Sequence, residues 1–211
     1  MKKNNKGVFI VFEGPEGAGK TTHIKMLSEY LKKEKHNFIL TREPGGTVTS
    51  EKIRNIILSK DNRVSPLTEL LLYEAARAQH VSEVIKPNLE KGKIVICDRF
   101  SDATITYQGY GRGLNIKLVK QLNTIASQGI KPDLTILLDI SVEKGLSRVR
   151  KERKKFDRLE QEKIEFHKKI RDGYLKLAKE RKDIIKINVE DKSKNEVHKK
   201  IVSIIEEVLK R

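Results

Sequence analysis

One stretch of the chain already specifies a chemistry. Gly14-Pro15-Glu16-Gly17-Ala18-Gly19-Lys20-Thr21-Thr22 contains the spacing G-x-x-x-x-G-K-T in full. Glycines let the backbone wrap closely around a phosphate, and successive N–H groups form a nest for its oxygens. A helix opening at Lys20 adds its positive N-terminal end. Lys20 then reaches the terminal phosphates of a nucleotide, and Thr21 offers its hydroxyl to Mg²⁺. The bland alternative is a structural glycine turn. The flanks argue against it, because an apolar strand precedes the loop and a helical pattern follows. The expectation is a nucleoside triphosphate held by Gly14 to Thr22.

Other clusters could complete such a site. Cys97-Asp98-Arg99-Phe100 closes a second apolar run. An acid at a neighbouring strand tip suits Mg²⁺ or its waters, and Arg99 would point at phosphate; a surface ion pair is the alternative. Cys97 reads as a small core residue. Thr41-Arg42-Glu43-Pro44-Gly45-Gly46 is a tight loop whose arginine is either a phosphate clamp or part of a turn. Tyr107-Gln108-Gly109-Tyr110-Gly111-Arg112-Gly113 offers rings to stack on a base and an amide to read its edge, or is a flexible loop. Tyr73 and Arg77 lie four apart on one helix face, as a base-recognition pair or a helix-surface pair. Arg148 to Arg158 is strongly basic, either a lid over triphosphate or a solvated face.

These residues need elements to position them. Val8–Glu13, Phe38–Thr41, Ile94–Asp98, Leu134–Asp139 and Ile184–Asn188 read as strands, and most are near-continuously apolar, as buried parallel strands are. Helical patterns lie between them. Lys20–Lys33 places Ile24, Leu27 and Leu31 on one face. Ser65 caps a long helix with Pro66 in its first turn, running towards Glu90, and Pro87 should end or kink it. Asn115–Ser127, Glu143–Glu152, Asp157–Arg181 and Lys192–Lys210 complete the set. Such alternation predicts an α/β doubly wound fold with a parallel sheet and a ligand site at the carboxyl ends of its strands. The 211 residues are expected to form a single domain with an inserted lid near 148–158.

Composition narrows the class. Lys and Arg number 45 against 29 acids, a net charge of +16. Lysines outnumber arginines 32 to 13, and aromatic residues make only 5%. This fits a solvated basic surface better than a nucleic-acid groove, which would interleave aromatics with the charge. The longest run free of charged residues, Gln121 to Ile130, is far shorter than the roughly 18 residues of a membrane span. The apolar stretch Val8 to Phe12 is too short for a signal peptide. The single cysteine and the lack of a zinc-spaced cluster favour a reducing, cytoplasmic setting.

The glycine loop, Arg42-Glu43-Pro44-Gly45-Gly46, Asp98-Arg99-Phe100, Tyr107-Gln108-Gly109 and Asp157-Arg158-Leu159-Glu160 occur together and in order. In this the chain resembles bacterial thymidylate kinases, P-loop nucleoside monophosphate kinases, across essentially its whole length. The resemblance implies a P-loop NTPase fold with a five-stranded parallel sheet flanked by helices and a short mobile lid. It implies ATP-dependent phosphorylation of dTMP to dTDP with Mg²⁺, held by Thr21 and Asp98, in a homodimer.

Residue by residue, it implies that Lys20 and the loop amides hold ATP phosphates and that Glu16 touches the sugar 3′-hydroxyl. Arg42 and Arg99 would hold the acceptor phosphate. Tyr73 takes the place of a frequent phenylalanine that stacks on thymine, and Arg77 reads the base edge. Thr104 and Gln108 complete base recognition, and Tyr107 packs against the deoxy carbon of the sugar. The family places a catalytic arginine either in the P-loop or in the lid. This P-loop has none, so Arg148, Arg150 and Arg153 are the candidates. The lid is about one residue longer than the commonest spacing. Two other classes compete: a P-loop kinase for another deoxynucleotide or a deoxynucleoside, and a basic nucleic-acid-binding P-loop protein.

Overall fold

The computed structural model describes residues 7–152 and 156–210. Five strands form one parallel sheet: β1 (Val8–Glu13), β2 (Phe38–Arg42), β3 (Ile94–Asp98), β4 (Leu134–Asp139) and β5 (Ile184–Asn188). Their order is β2-β3-β1-β4-β5. Four of the five expected strands keep their bounds, and β2 extends one residue further, to Arg42. Register brings the chemistry together. Phe12 and Arg42 both pair with Asp98, and Glu13 pairs with Leu137. The carboxyl ends of β1, β2 and β3 therefore finish level, beside the point where the chain leaves one half of the sheet for the other. That is where a doubly wound sheet binds its ligand.

Helices cover both faces: α1 (Lys20–Lys33), α2 (Val48–Leu58), α3 (Pro66–His80), α4 (Lys86–Glu90), α5 (Ser101–Thr104), α6 (Ile116–Ala126), α7 (Val142–Glu152), α8 (Ile164–Glu180) and α9 (Lys194–Leu209). Strand residues alternate between the two layers. Ile10 and Phe12 pack with Leu27 and Leu31 of α1 and with Val197, Ile201 and Ile205 of α9. Phe9 and Val11 pack on the opposite face with Val81, Ile85, Cys97 and Phe100. Cys97 is fully enclosed, and its thiol is pushed well up by that burial.

Three expectations need correction. The stretch 157–181 is not one helix. Asp157 Oδ1 accepts from the backbone N–H groups of Leu159 and Glu160, a local turn that competes with helix, so α8 opens only at Ile164. The long helix from Ser65 does reach Glu90, but through a π-helical turn, Val81–Ile85, just before Pro87. Proline removes a donor and crowds the preceding turn, and the wider winding accommodates both. The glycine-rich 107–113 stretch is largely helical rather than a loop. α5 runs on into π-helical Ile105–Gly111, which buries Tyr107 and Gln108. In addition, α2 lies outside the expected helices, although Ile53, Ile56 and Ile57 share one face. It is set by Thr47, whose hydroxyl accepts from Ser50 N at 3.0 Å.

Candidate active site

A cavity of about 480 Å³ opens over the carboxyl ends of the strands, a size suited to a small-molecule site. It runs from Gly19, Lys20 and Thr21 at one end to Arg77, Thr104 and Gln108 at the other.

The first end is shaped by backbone. Gly14, Gly17 and Gly19 all have positive φ. At Gly14 a Cβ would sit 2.2 Å from the carbonyl of Leu138, so only glycine fits. Gly17 and Gly145 of α7 meet backbone to backbone. A Cβ on Gly17 would lie 2.1 Å from the Gly145 carbonyl, and one on Gly145 would lie 2.3 Å from that of Glu16. Lys20 is nearly enclosed and donates to the carbonyls of Gly14 (2.9 Å) and Pro15 (3.1 Å). Burial and the nearby Arg99 charge hold its ammonium below its ordinary pKa.

Thr21 and Asp98 meet, with the hydroxyl 3.5 Å from Asp98 Oδ2. Asp98 Oδ1 is buried and has no protein hydrogen-bond partner. A hard divalent cation suits an unsatisfied carboxylate oxygen beside a hydroxyl, so the pair fits Mg²⁺. Among the described residues no group of three His, Cys, Asp or Glu could hold a metal by itself.

Arg99 occupies the centre. Its φ of 71° is left-handed, a sparsely populated setting for a side-chain-bearing residue. The strain is held by Arg99 N donating to Phe12 O at 2.9 Å. Its guanidinium donates to Glu16 Oε1 (2.7 Å), Gly14 O (3.2 Å) and the Tyr174 hydroxyl (3.1 Å), and lies over the Tyr107 ring. Tyr107 donates to the same Glu16 oxygen at 2.7 Å. Burial would raise the Glu16 carboxyl, but the Arg99 and Lys20 charges outweigh it and bring it down to about 2.

Behind this trio stands Glu13, fully enclosed. Its Oε1 accepts from the backbone of Phe100 (2.8 Å) and Ala103 (3.1 Å), and its Oε2 accepts from Tyr174 (2.6 Å). Burial, then the nearby Asp102 charge, pushes the Glu13 carboxyl up to about 7.

The far wall is a buried charge network. Arg77 is 1% exposed, which excludes the helix-surface pair. Its Nε donates to Glu43 Oε2 (2.8 Å) and its Nη1 to Glu74 (3.0 Å) and Asn123 Oδ1 (2.5 Å). Tyr73 lines the same cavity, half-buried. Thr104 is enclosed, and its hydroxyl has no partner in the protein. Gln108 donates to Glu69 at 2.8 Å. Arg42 lines the cavity from the end of β2, where Glu51 grips it with both oxygens at 2.9 Å.

The basic stretch is only partly brought in. Arg148 turns to the carbonyls of Gly17, Val189 and Glu190 at 3.4–3.5 Å. Arg150 is exposed, and neither it nor Arg148 lines the cavity, whereas Val149, Asp157 and Leu159 do. Arg153 lies outside the described residues. Sequence reasoning missed Glu13, Glu43, Glu69, Glu74 and Tyr174. Glu13 could have been flagged as a lone acid ending a buried strand, and Glu43 as the acid between Arg42 and the cavity-lining Pro44. Glu74, three residues before Arg77 on the same helix, carried an i,i+3 pairing signal; Glu69 and Tyr174 carry no local signal.

Comparison with known proteins decides the family. The family profile described as thymidylate kinase matches residues 12–201. The chain belongs to the thymidylate kinase family. A thymidylate kinase of Thermoanaerobacter sp. (strain X514) is 49% identical over 206 residues, covering 97% of this chain and 100% of that one. One of Geotalea uraniireducens is 53% identical over 186 residues, covering 82% and 84%. The crystal structure of thymidylate kinase from Ehrlichia chaffeensis superposes with a TM-score of 0.78 at 37% identity, covering 95% of this chain and 98% of that one. The P-loop fold and the five-stranded parallel sheet are thus those of thymidylate kinases.

Proposed function

We propose a division of labour in this site for ATP-dependent phosphorylation of dTMP to dTDP, the reaction of the thymidylate kinase family. The supporting observation is one continuous cavity joining the P-loop to the Arg77–Gln108 wall, with Arg42 and Arg99 between its ends. Two phosphates need cationic positions next to each other, and a base needs a polar, enclosed end.

Lys20 and the amides of Gly14 to Thr22 hold the ATP phosphates. Arg42 and Arg99 hold the acceptor phosphate, and Glu16, kept ionised, accepts from the sugar 3′-hydroxyl. Tyr73 stacks on the base, Tyr107 packs on the deoxy carbon, and Arg77, Thr104 and Gln108 read the base edge. Thr21 and Asp98 hold Mg²⁺, which when bound neutralises phosphate charge. The acceptor phosphate is already anionic at pH 7, so no general base is needed. Its oxygen bonds to the γ-phosphorus as the bond to the bridging oxygen breaks, and ADP leaves. Catalysis is alignment plus charge neutralisation. Residues 148–158 act as a lid on a single kinase unit, and an arginine among Arg148, Arg150 and Arg153 neutralises the transferring group. Closure excludes water and limits ATP hydrolysis.

Exposed apolar residues on α3 (Leu67, Leu71) and α6 (Leu118, Ile125) support a homodimer. Among the described residues no helix is long and apolar enough to cross a membrane.

An acceptor panel tests the assignment. With ATP, dTMP should be the preferred acceptor over dUMP, dCMP and thymidine. Preference for thymidine would overturn the acceptor-phosphate role of Arg42 and Arg99.

A further inference from the structure

We propose that Glu69, which touches neither substrate, sets pyrimidine specificity by fixing the orientation of the Gln108 side-chain amide. The proposal rests on the reading above that this end of the cavity takes the acceptor base. Glu69 is wholly enclosed on α3, and its carboxylate gathers donors from three distant points. Oε1 accepts from Gln108 Nε2 at 2.8 Å and from Arg112 Nε at 3.1 Å. Oε2 accepts from Arg112 Nη2 at 3.2 Å and from Arg158 Nη2 at 2.5 Å. Burial pushes this carboxyl up, but the hydrogen bonds from Arg112, Gln108 and Arg158 outweigh it and hold it below the usual range. An ionised carboxylate accepts and never donates. Gln108 must therefore turn its NH₂ towards Glu69, which leaves its Oε1 for the cavity it lines.

Arg77 supplies the opposite sign. Glu43, Glu74 and Asn123 hold its guanidinium against the same wall, and a guanidinium carries only donors. Arg77 and Gln108 thus offer a base edge one donor and one acceptor, with the Thr104 hydroxyl able to serve as either. Thymine presents a carbonyl acceptor and an N3–H donor on this edge, matching both. Cytosine presents an amino donor and an unprotonated N3, mismatching both.

Replacing Glu69 by Gln exchanges one oxygen for NH₂. The Oε2 position faces two arginine donors, while the Oε1 position faces one arginine and a Gln108 amide free to flip. The new NH₂ therefore settles at the Oε1 position, and Gln108 turns its own NH₂ to the cavity. Its preference should shift towards cytosine.

The experiment measures kcat and KM for dTMP and dCMP, with ATP, in wild-type protein and Glu69→Gln. The dTMP/dCMP ratio of kcat/KM should fall threefold or more, carried by the KM values of the acceptors, with the KM for ATP unchanged. A smaller change in the ratio overturns the proposal, since a merely structural loss lowers both acceptors together. Wild-type protein is assayed first. Failure to use dTMP would overturn the acceptor reading and this inference with it, whereas turnover with an unmoved ratio overturns only the role of Glu69. Should Glu69→Gln not fold, ¹⁵N-glutamine-labelled wild-type protein decides, with the Gln108 signal assigned by its loss in Gln108→Leu. Its Nε2 protons should exchange slowly and keep their shift when dTMP binds. A shift typical of a new hydrogen bond to the base overturns the proposal.

Discussion

The two ends of the cavity are built by opposite strategies. The phosphate end comes from nine contiguous residues, Gly14 to Thr22, and its shape is a property of the backbone. The base end draws Glu43 from the loop after β2, Arg77 and Glu69 from α3, Gln108 from the π-helical turn and Asn123 from α6. There the groups are side chains that hold one another in place, buried and paired. A contiguous loop can lose a functional group and keep its shape. A network of buried charges cannot, because each member satisfies another.

The sharpest contrast is between one lysine and one arginine. Lys20→Ala should lower kcat by about 10³-fold or more with an unchanged or slightly raised melting temperature. Steady-state kinetics alongside thermal denaturation would show this, and wild-type turnover would sink the P-loop assignment. Arg77→Met should instead destabilise the protein by about 3–5 kcal/mol, because Glu43 and Glu74 would stay buried without their cation. Urea unfolding would measure it, and a loss below about 1 kcal/mol would mean the two ends do not differ in this way. Arg150→Ala should have a smaller effect than either. We expect kcat to drop about 10- to 100-fold with little change in KM for dTMP. A rise in KM at constant kcat would make Arg150 a binding residue.

The smallest effect concerns pH. The Glu16 carboxyl, near 2 in the folded chain against an ordinary 4.5, contributes stability that is full above pH 4.5 and lost as pH falls towards 2. Glu13, near 7 when folded, behaves oppositely. It holds its proton more tightly folded than unfolded, so its contribution declines as pH rises from 4.5 through 7. Glu13→Gln should then raise the melting temperature by about 2–4 °C at pH 8 and by much less at pH 5. Parallel melting curves for variant and wild type across that range would refute the sign.

The same contrast governs what could be read in advance. The P-loop and the strands were legible because their signals are local: a fixed spacing, and short apolar runs. The partners of Arg77 and Gln108 were not legible, because Glu43 and Glu69 are 34 and 39 positions away and only the fold brings them close. The stretch after Asp157 misled because its composition suits a helix, while one carboxylate bonding to its own following backbone sets a turn instead. Residues 148–158 gave away their charge but not their aim. Arg148 turns to backbone carbonyls, which charge alone does not foretell.

The glycine-to-glycine contact between the P-loop and α7 has a consequence for the history of the chain. Gly17 and Gly145 leave no room for even a methyl group on either partner, so neither position can drift alone. A change at one is tolerated only if the helix and the loop separate. The start of that helix is thus tied to the loop by contact, although 128 positions separate the two glycines in the sequence.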